Sequence, residues 1–233
     1  MELPLPNPGK EITLQVKGIR VSRYPLKTQL LVKGDDVVQI ISTAVNKYLP
    51  LIRDKNKVAV ISEKSVAVSQ GRGIPIKDIK PRKLARFLSH YVTKTPNGIG
   101  LGMPETMELA IREIGVIRIF LAFLAAAVTK PFGIKGMFYR VAGDKARSID
   151  GPTPHTIPPY NQYAVMAPAH PDQVAKAISE QTGIPVVIID ANDIGQNILG
   201  SWNVTDKEFI KASFGDNPLG QSDQQTPVAV VCW

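Results

Sequence analysis

The chain has few of the residues that build disulfide bridges and zinc sites. Its 233 residues include one cysteine, Cys232, and three histidines. A single cysteine excludes a disulfide framework within the chain. With so few histidines beside it, a zinc site made of cysteine and histidine ligands is not expected either. We therefore look first to carboxylates, amides and basic side chains for the chemistry of this protein.

The sequence also lacks a long hydrophobic run. The most apolar stretch, residues 114–128, is interrupted by Arg118 and is shorter than the roughly 20 residues that cross a bilayer. This stretch predicts a buried helix. The first eleven residues contain three prolines and no apolar run, so no signal peptide is expected. We expect a soluble, cytoplasmic protein with no membrane partner.

Acidic residues are too few to balance the basic ones, and the formal net charge is +8. Such a charge favours anionic partners such as nucleic acids, phosphorylated metabolites or nucleotides. The densest basic stretch, residues 77–86, lacks interleaved aromatic side chains for base stacking, and Phe87 and Tyr91 beside it fall at the spacing of a helix core. We therefore interpret this stretch as a solvated helix face and expect no nucleic-acid partner.

Apolar periodicity predicts strands and helices that alternate, with several strands adjacent. The predicted strands cover residues 11–21, 58–62, 65–69, 137–141, 163–166, 185–189 and 227–231. The predicted helices cover residues 37–48, 81–91, 105–114, 114–128, 170–183 and 205–214. Asp35 and Asp36 are expected to cap the first helix, and Thr205 with Glu208 forms a candidate capping box for the last. We expect an α+β fold with mixed sheets, in one domain over residues 1–233 with a subdivision near residues 130–136.

A cluster of oxygen-bearing side chains follows the predicted strand 185–189. Asp190, Asn192 and Asp193 stand where a buried strand ends, a position at which α/β proteins commonly hold ligands. Their oxygens are hard donors of the kind that Mg²⁺ or Mn²⁺ prefers. The alternative is a turn in which these side chains cap backbone amides.

Two further segments offer ligand groups. Asp144 follows the predicted strand 137–141 and is a candidate second metal ligand; the alternative is a surface acid paired with Lys145 or Arg147. Residues 215–227 form a polar loop before the last predicted strand. Gln221 and Asp223 are the candidate ligand groups of this loop, and a plain surface loop is the alternative.

Five segments, in order along the chain, resemble the coenzyme F(420)-0:L-glutamate ligase family. The first is Gly-Asp-Asp before an amphipathic helix, the second is VAVISEKSVAVSQGR, the third is YRVAGD, the fourth is VVIIDAN and the last is GQSDQQTPVAVV. They occupy residues 34–36, 58–72, 139–144, 186–192 and 220–231. Their order and spacing carry the resemblance, because each motif alone is only moderately specific.

The resemblance implies a two-part α/β fold, an intertwined homodimer and a GTP-dependent reaction that uses Mn²⁺ or Mg²⁺. In that reaction the acid substrate forms an acyl phosphate, and the amino group of glutamate displaces the phosphate. The resemblance also implies that Asp144 and Asp190 bind metal, with Asp150 as a rival for the role of Asp144. It further implies that Asp144 and Asp190 are catalytic. Asp193, in the same run of oxygen donors as Asp190, is a third candidate metal ligand. The candidate nucleotide contacts are Ser62, Lys64, Arg72, Asn192, Gln221 and Asp223, with Lys64 as a substitute for a lysine of the family pattern.

Several positions depart from the family pattern. Val68 stands where the family has a lysine, and Glu63 and Lys64 stand where it has a Ser-Thr pair. Ala191 replaces a threonine that follows the metal-binding aspartate, and Asp193 replaces a glycine. These differences motivate a second hypothesis, in which a catalytically divergent protein of the same fold binds a nucleotide or another metabolite.

Overall fold

The computed structural model describes residues 2–92, 100–134, 136–154, 156–192, 195–220 and 222–233, and of Asn192 the backbone alone. The chain divides into two units. The first comprises residues 1–71 and 168–233, and the second comprises residues 72–167. Residues 130–134, beside the subdivision that the sequence predicts, lie inside the second unit.

Both units contain strands and helices. In chain order the strands are β1 (Thr13–Val16), β2 (Ile19–Leu26), β3 (Lys57–Ser62), β4 (Gly73–Pro75), β5 (Tyr163–Val165), β6 (Val186–Asn192), β7 (Gly195–Trp202) and β8 (Val228–Cys232). The α-helices are α1 (Val37–Tyr48), α2 (Glu63–Ser69), α3 (Lys83–Ser89), α4 (Pro104–Ile114), α5 (Val116–Thr129), α6 (Met137–Ala142), α7 (Asp144–Arg147), α8 (Pro171–Thr182) and α9 (Lys207–Ser213).

The strands of the first unit form one mixed sheet in the order β1-β2-β8-β3-β6-β7. The pair β3–β6 is parallel, and the other neighbouring pairs in this sheet are antiparallel. The central strands β8, β3 and β6 read as nearly continuous apolar runs and are buried. Such runs are typical of strands that are covered on both faces. The expectation of an α+β fold with mixed sheets is confirmed.

Helices cover both faces of this sheet. On one face, α1, α2 and α8 pack through Ile41, Val66 and Ile178 against the side chains of β3, β6 and β8 that point towards them. On the opposite face, α9 packs through Phe209 and Ile210 against the alternate side chains of the same strands. The strand period of two therefore sorts the central strands into two buried layers.

Aspartate side chains cap two helices of the first unit. The carboxylate of Asp36 accepts a hydrogen bond of 3.0 Å from the backbone N–H of Gln39, which confirms the cap expected for α1. At α9 the cap is Asp206, whose carboxylate accepts from the N–H of Phe209 at 2.8 Å. The capping box predicted with Thr205 as its first residue is therefore wrong: the N-cap is the next residue, Asp206. Aspartate is at least as good an N-cap as threonine.

The predicted strand over residues 11–21 is in fact the hairpin of β1 and β2. Lys17 and Gly18 form its two-residue turn, with φ angles of 49° and 80°. Two central residues with positive φ give the turn type that matches the twist of paired strands, and glycine favours it. The single strand predicted here is therefore wrong, and β2 continues to Leu26.

Two other predicted strands are helices. Residues 65–69 belong to α2 and residues 137–141 belong to α6. Both are apolar runs of about five residues, and such short runs do not distinguish a strand from a buried helical turn by periodicity. In α2 the valines that favoured a strand, Val66 and Val68, are buried in the first unit.

The second unit is mostly helical. β4 and β5 form a two-stranded antiparallel sheet, and α3 to α7 enclose a core that includes Leu88, Leu101, Met107 and Ile149. The second unit also carries the whole formal charge of +8, since residues 72–167 contain 14 Lys and Arg and 6 Asp and Glu. The basic residues of the first unit are balanced by its acids.

Basic side chains of α3 and α4 converge on one buried acid in the second unit. Arg82 and Arg112 each place a guanidinium nitrogen 2.9 Å from the Glu108 carboxylate, which is 2% exposed. Burial by itself raises the pKa of Glu108, but the hydrogen bonds from the two arginines outweigh it and lower the pKa. Arg82 is therefore part of an ion-pair network that joins α3 to α4, and the purely solvated role expected for the stretch 77–86 does not apply to it.

Large apolar side chains of α3 and α5 are exposed. The helix predicted over residues 114–128 exists as α5, but Ile117 is 79% exposed and its outward face is apolar. Phe87 and Tyr91 are also more than half exposed, so their predicted place in the core is wrong. Their rings contact the ring of Phe123 of α5 in tilted and edge-to-face arrangements, with centroid distances of 6.3 and 5.5 Å. Helical spacing identified an apolar stripe correctly, but it does not say whether anything in the same chain covers that stripe.

Among the residues that the structure describes, none of the helices combines the length and the apolar character needed to cross a membrane.

A buried arginine holds the hairpin to the segment after α9. Arg23 is 1% exposed, and its guanidinium donates to both carboxylate oxygens of Asp216, to the Ser213 carbonyl oxygen at 3.0 Å and to the Glu11 carbonyl oxygen at 2.6 Å. Burial by itself raises the pKa of Asp216, but the hydrogen bond and charge of Arg23 prevail and lower the pKa. Removing this acid would leave a buried charge with poor compensation.

We expect Asp216→Asn to lower the free energy of unfolding by about 1.5–3 kcal/mol at neutral pH, the range for hydrogen bonds to charged groups. Because folding lowers the pKa of Asp216, its contribution is complete above the unfolded value of about 3.9 and is lost as the pH falls through the folded value. Urea denaturation at neutral pH and near pH 3 measures both effects.

A matched control is Glu208→Gln, which breaks the exposed pair between Glu208 and Lys211 and should cost less than about 1 kcal/mol. If Asp216→Asn cost no more than this control, or the same amount at both pH values, the assignment of Arg23 and Asp216 as a stabilising pair would be wrong.

Candidate functional site at one edge of the six-stranded sheet

The parallel pair β3 and β6 brings two of the predicted site residues to the same edge of the sheet. In their register Ser62, the last residue of β3, is opposite Ile189 of β6. Asp190 is the next residue along β6 and lies just beyond the end of β3. Because neighbouring strands lie about 4.8 Å apart, the backbones of Ser62 and Asp190 lie near each other at this edge.

Asp190 lies within a strand and not in a turn. β6 continues past the predicted end at residue 189, and Asp190 is paired with Asn197 of β7. A register shift separates Ile188 from Ile189 in this pairing. Such bulges bend a strand and redirect its side chains, and they are common beside active sites. Asp190 is half-buried.

The antiparallel strand β8 begins at the same edge and brings the C-terminal loop with it. Val228 is opposite Ile61 of β3, and the backbone N–H of Ser62 donates to the carbonyl oxygen of Pro227 at 2.8 Å. Residues 215–227, defined here as the C-terminal loop, therefore reach the sheet beside Ser62. This loop carries Asp223, which is exposed.

The end of β2 and the start of α2 complete this edge. Leu26 is opposite Val228, so Lys27 follows β2 at the same edge, and the N–H of Thr28 donates to the Gln225 carbonyl oxygen at 3.0 Å. On the other side of β8, α2 begins directly after β3 and carries Lys64, which is half-buried. The edge thus gathers a carboxylate, a hydroxyl and basic side chains, the groups that a phosphorylated ligand and its counter-ion need.

An open cleft of about 390 Å³ lies beside the C-terminal loop. Lys27 and Asp223 supply its charged groups, and Tyr48 and three prolines supply much of its remaining wall. The cleft is lined by Pro4, Leu5, Asn7, Pro8, Pro25, Lys27, Tyr48, Asp223, Gln224 and Thr226. All of these residues belong to the first unit.

Two of the predicted site residues belong to the second unit. Asp144 is the first residue of α7, with its side chain 81% exposed and 3.7 Å from the guanidinium of Arg147. The strand that was expected before Asp144 is α6, and the ion pair with Arg147 is the alternative that the sequence offered. Arg72 donates to the Ala167 carbonyl oxygen and lies 2.9 Å from the Glu113 carboxylate. The roles that the resemblance implies for Asp144 and Arg72 stay predictions.

The remaining predictions lie outside what the structure describes. Asp193 and Gln221 are not among the described residues, and neither is the side chain of Asn192. Over the described ranges, no three His, Cys, Asp or Glu side chains come together in a group that could hold a metal ion. Asp190 is the predicted metal ligand at this edge whose side chain the structure describes, and Mg²⁺ bound to phosphates commonly takes only one or two protein carboxylates.

Cys232 is not suited to nucleophilic chemistry. Its side chain is fully buried in β8, and its thiol lies 3.4 Å from the carboxylate of Asp54. Burial and this neighbouring carboxylate raise the pKa of Cys232 to about 12. The reactive thiolate is therefore essentially absent at neutral pH.

A family model described as F(420)-0:gamma-glutamyl ligase matches residues 25–194. The chain belongs to the F(420)-0:gamma-glutamyl ligase family. The matched range includes β3, α2, β6 and Asp190, as well as the whole second unit. It leaves out the β1–β2 turn and the C-terminal loop. Membership of this family indicates a ligase and a place in coenzyme biosynthesis. A comparison with curated proteins finds no match.

Sequence reasoning missed several residues of this edge. Lys27 was overlooked because the Lys17-Gly18 turn was not recognised; a two-residue turn there would have extended β2 and placed Lys27 at its end. Asn7 and Thr226 carry no local signal, since they meet only through contacts between the two ends of the chain. Such long-range contacts have no counterpart in hydrophobic periodicity.

Proposed function

We propose that this chain is a GTP- and divalent-metal-dependent ligase that joins an amino acid, L-glutamate, to a carboxylic acid. The convergence of Ser62, Asp190 and the C-terminal loop at one sheet edge, in a chain of a ligase family, is the observation that carries the proposal. The deazaflavin acid that the family name points to is the first substrate to test. We place the protein in the cytoplasm, where such a nucleotide is available.

The proposed reaction has two steps. A carboxylate oxygen of the acid attacks the γ-phosphorus of GTP, GDP leaves, and an acyl phosphate forms. The amino nitrogen of glutamate then attacks the acyl carbon and loses a proton as inorganic phosphate leaves and the amide forms. Because phosphoryl transfer needs mainly positioning and charge stabilisation, the protein's task is to hold the phosphates and the acid in line.

We assign different parts of this task to different residues of the sheet edge. Asp190, with Asp193 and Asn192 beside it in the sequence, would hold Mn²⁺ or Mg²⁺, and such an ion offsets the negative charge of the phosphates when it is bound. Lys64 and Ser62 at the start of α2 would bind phosphate oxygens. Asp223 and Gln221 of the C-terminal loop would contact the rest of the nucleotide. Asp144 remains the candidate second catalytic carboxylate.

A catalytically divergent binding protein is the second candidate. Val68, which stands at the family's lysine position, is only 7% exposed and packs in the interior of the first unit. A valine has no donor or charge with which to bind a phosphate, so Val68 does not replace the lysine of the family pattern. This candidate predicts nucleotide or metabolite binding without turnover.

We expect Asp190→Asn to reduce amide formation by about 100-fold or more, as the loss of one charge-stabilising group in an active site does, while the protein stays folded. The measurement is phosphate release from GTP in the presence of Mn²⁺, L-glutamate and the deazaflavin acid. The matched control is Asp54→Asn, which changes a carboxylate near Cys232, at the far end of the sheet. Equal activity of both variants would remove Asp190 from the site, and wild-type binding without turnover would favour the divergent candidate.

We further propose that the chain forms a homodimer. The support within the second unit is the exposed apolar face of α5, where Ile117, Leu121 and Val128 are more than half exposed. Exposed apolar patches of this kind commonly mark interfaces between proteins. Light scattering should give twice the 25.4 kDa mass of one chain, and Ile117→Asp should return it to one chain. A wild-type mass of one chain at micromolar concentration would contradict this proposal.

A further inference from the structure

Residues 3–10, the N-terminal strap, run along the C-terminal loop within the first unit. The side-chain amide of Asn7 donates to the Pro218 carbonyl oxygen at 2.8 Å and to the Thr226 hydroxyl oxygen at 2.9 Å. Pro218 and Thr226 are close to opposite ends of the loop. A single side chain of the strap therefore holds both ends of the segment that carries Asp223.

The loop continues this hydrogen-bond network. The Thr226 hydroxyl, which accepts from Asn7, donates in turn to the Leu219 carbonyl oxygen at 2.6 Å. Lys10 of the strap donates to the Asp216 carbonyl oxygen, at the start of the same segment. Leu3 anchors the strap itself, because its side chain packs against the hydrophobic core of the first unit.

The loop needs such support because its backbone is unfavourable in isolation. Asn217, Gly220 and Gln225 have φ angles of 47°, 76° and 55°. Non-glycine residues in this region persist only where surrounding contacts fix them. The strap bonds to Pro218 and Thr226, the neighbours of Asn217 and Gln225, from a segment that lies outside residues 25–194, the range that the family model matches.

We propose that Asn7 is a positioning residue that holds the C-terminal loop in the conformation that binds the nucleotide. This inference rests on the proposed function, in which Asp223 contacts the nucleotide. Asn7 itself acts through Pro218 and Thr226 and does not have to touch the ligand. A loop that is held in its binding conformation binds more tightly than one that reaches it only part of the time.

The test compares Asn7→Ala with Asn46→Ala. Asn46 lies on α1 and makes the same kind of bond, from its side-chain amide to the Gln181 carbonyl oxygen at 3.1 Å, away from the loop. Two quantities are measured: hydrogen exchange of the loop amides of Asn217, Gly220 and Ser222 in the free protein, and the dissociation constant of GTP with Mn²⁺ by calorimetry.

We expect Asn7→Ala to speed exchange at the loop amides and to weaken GTP binding about ten-fold, as when the binding conformation is populated a tenth of the time. Asn46→Ala should change neither quantity. Thr226→Val removes the bond to Asn7 from the other side, together with the bond to Leu219. Because the two substitutions share one bond, the effect of the double variant should be smaller than the sum of the single effects. Thermal unfolding of each variant shows that it is folded.

Different results contradict different parts of the inference. Unchanged loop exchange in Asn7→Ala would show that the strap does not hold the loop. Faster exchange with unchanged GTP affinity would show that the loop is not the nucleotide site, which overturns the positioning role. A wild-type protein that binds no nucleotide would contradict the proposed function and, with it, the positioning role; faster exchange in Asn7→Ala would then support only the structural hold of the strap on the loop.

Discussion

The pairing of β3 with β8 on one side and with β6 on the other is the constraint on which the candidate site depends. The parallel pair aligns Ser62 with the residue before Asp190, and the antiparallel pair brings the C-terminal loop to the same edge. A slip of one residue would turn every side chain of a strand to the opposite face. Both faces of these strands are buried under helices, so the register is fixed by the packing of side chains such as Ile61 and Val230 on one face and Val60 and Val231 on the other. The site is thus determined by the core beneath it.

Local sequence signals predict many of the helices, strands and caps of the first unit, but not the way in which its strands are ordered. The Asp36 cap, the continuous apolar strand before Asp190 and the helix over residues 170–183 have strong signals, because capping chemistry and long periodic runs act within one segment. The strands predicted over 65–69 and 137–141 failed because short apolar runs take whichever conformation the neighbouring elements allow. Of the residues at or beside this sheet edge, sequence reasoning named Ser62, Asp190 and Asp223 as candidates, but not Asn7 or Lys27, whose positions depend on the strand order. That order is a property of the whole sheet and is not visible in any one segment.

The net charge is distributed unevenly between the two units. The second unit holds the full +8, whereas the first unit, which carries the sheet edge, is formally neutral. The overall charge therefore indicates anionic partners chiefly for the second unit. In the first unit, the proposed binding of phosphates would depend on individual side chains such as Lys64 and Lys27. The second unit combines this charge with the exposed apolar face of α5, and it is on this face that the proposed homodimer would form.

The most direct test of the central claim is a thermal-unfolding titration with GTP or ATP, each with and without Mn²⁺. A ligand at about 100 times its dissociation constant adds roughly 2.7 kcal/mol to the stability of the folded state, which should raise the unfolding temperature of a chain of this size by roughly 5–11 °C. A rise that requires both GTP and Mn²⁺, and that is lost in Asp190→Asn, is the result that a metal-dependent nucleotide site at the sheet edge predicts. An unfolding temperature that no nucleotide changes, with or without metal, would contradict it.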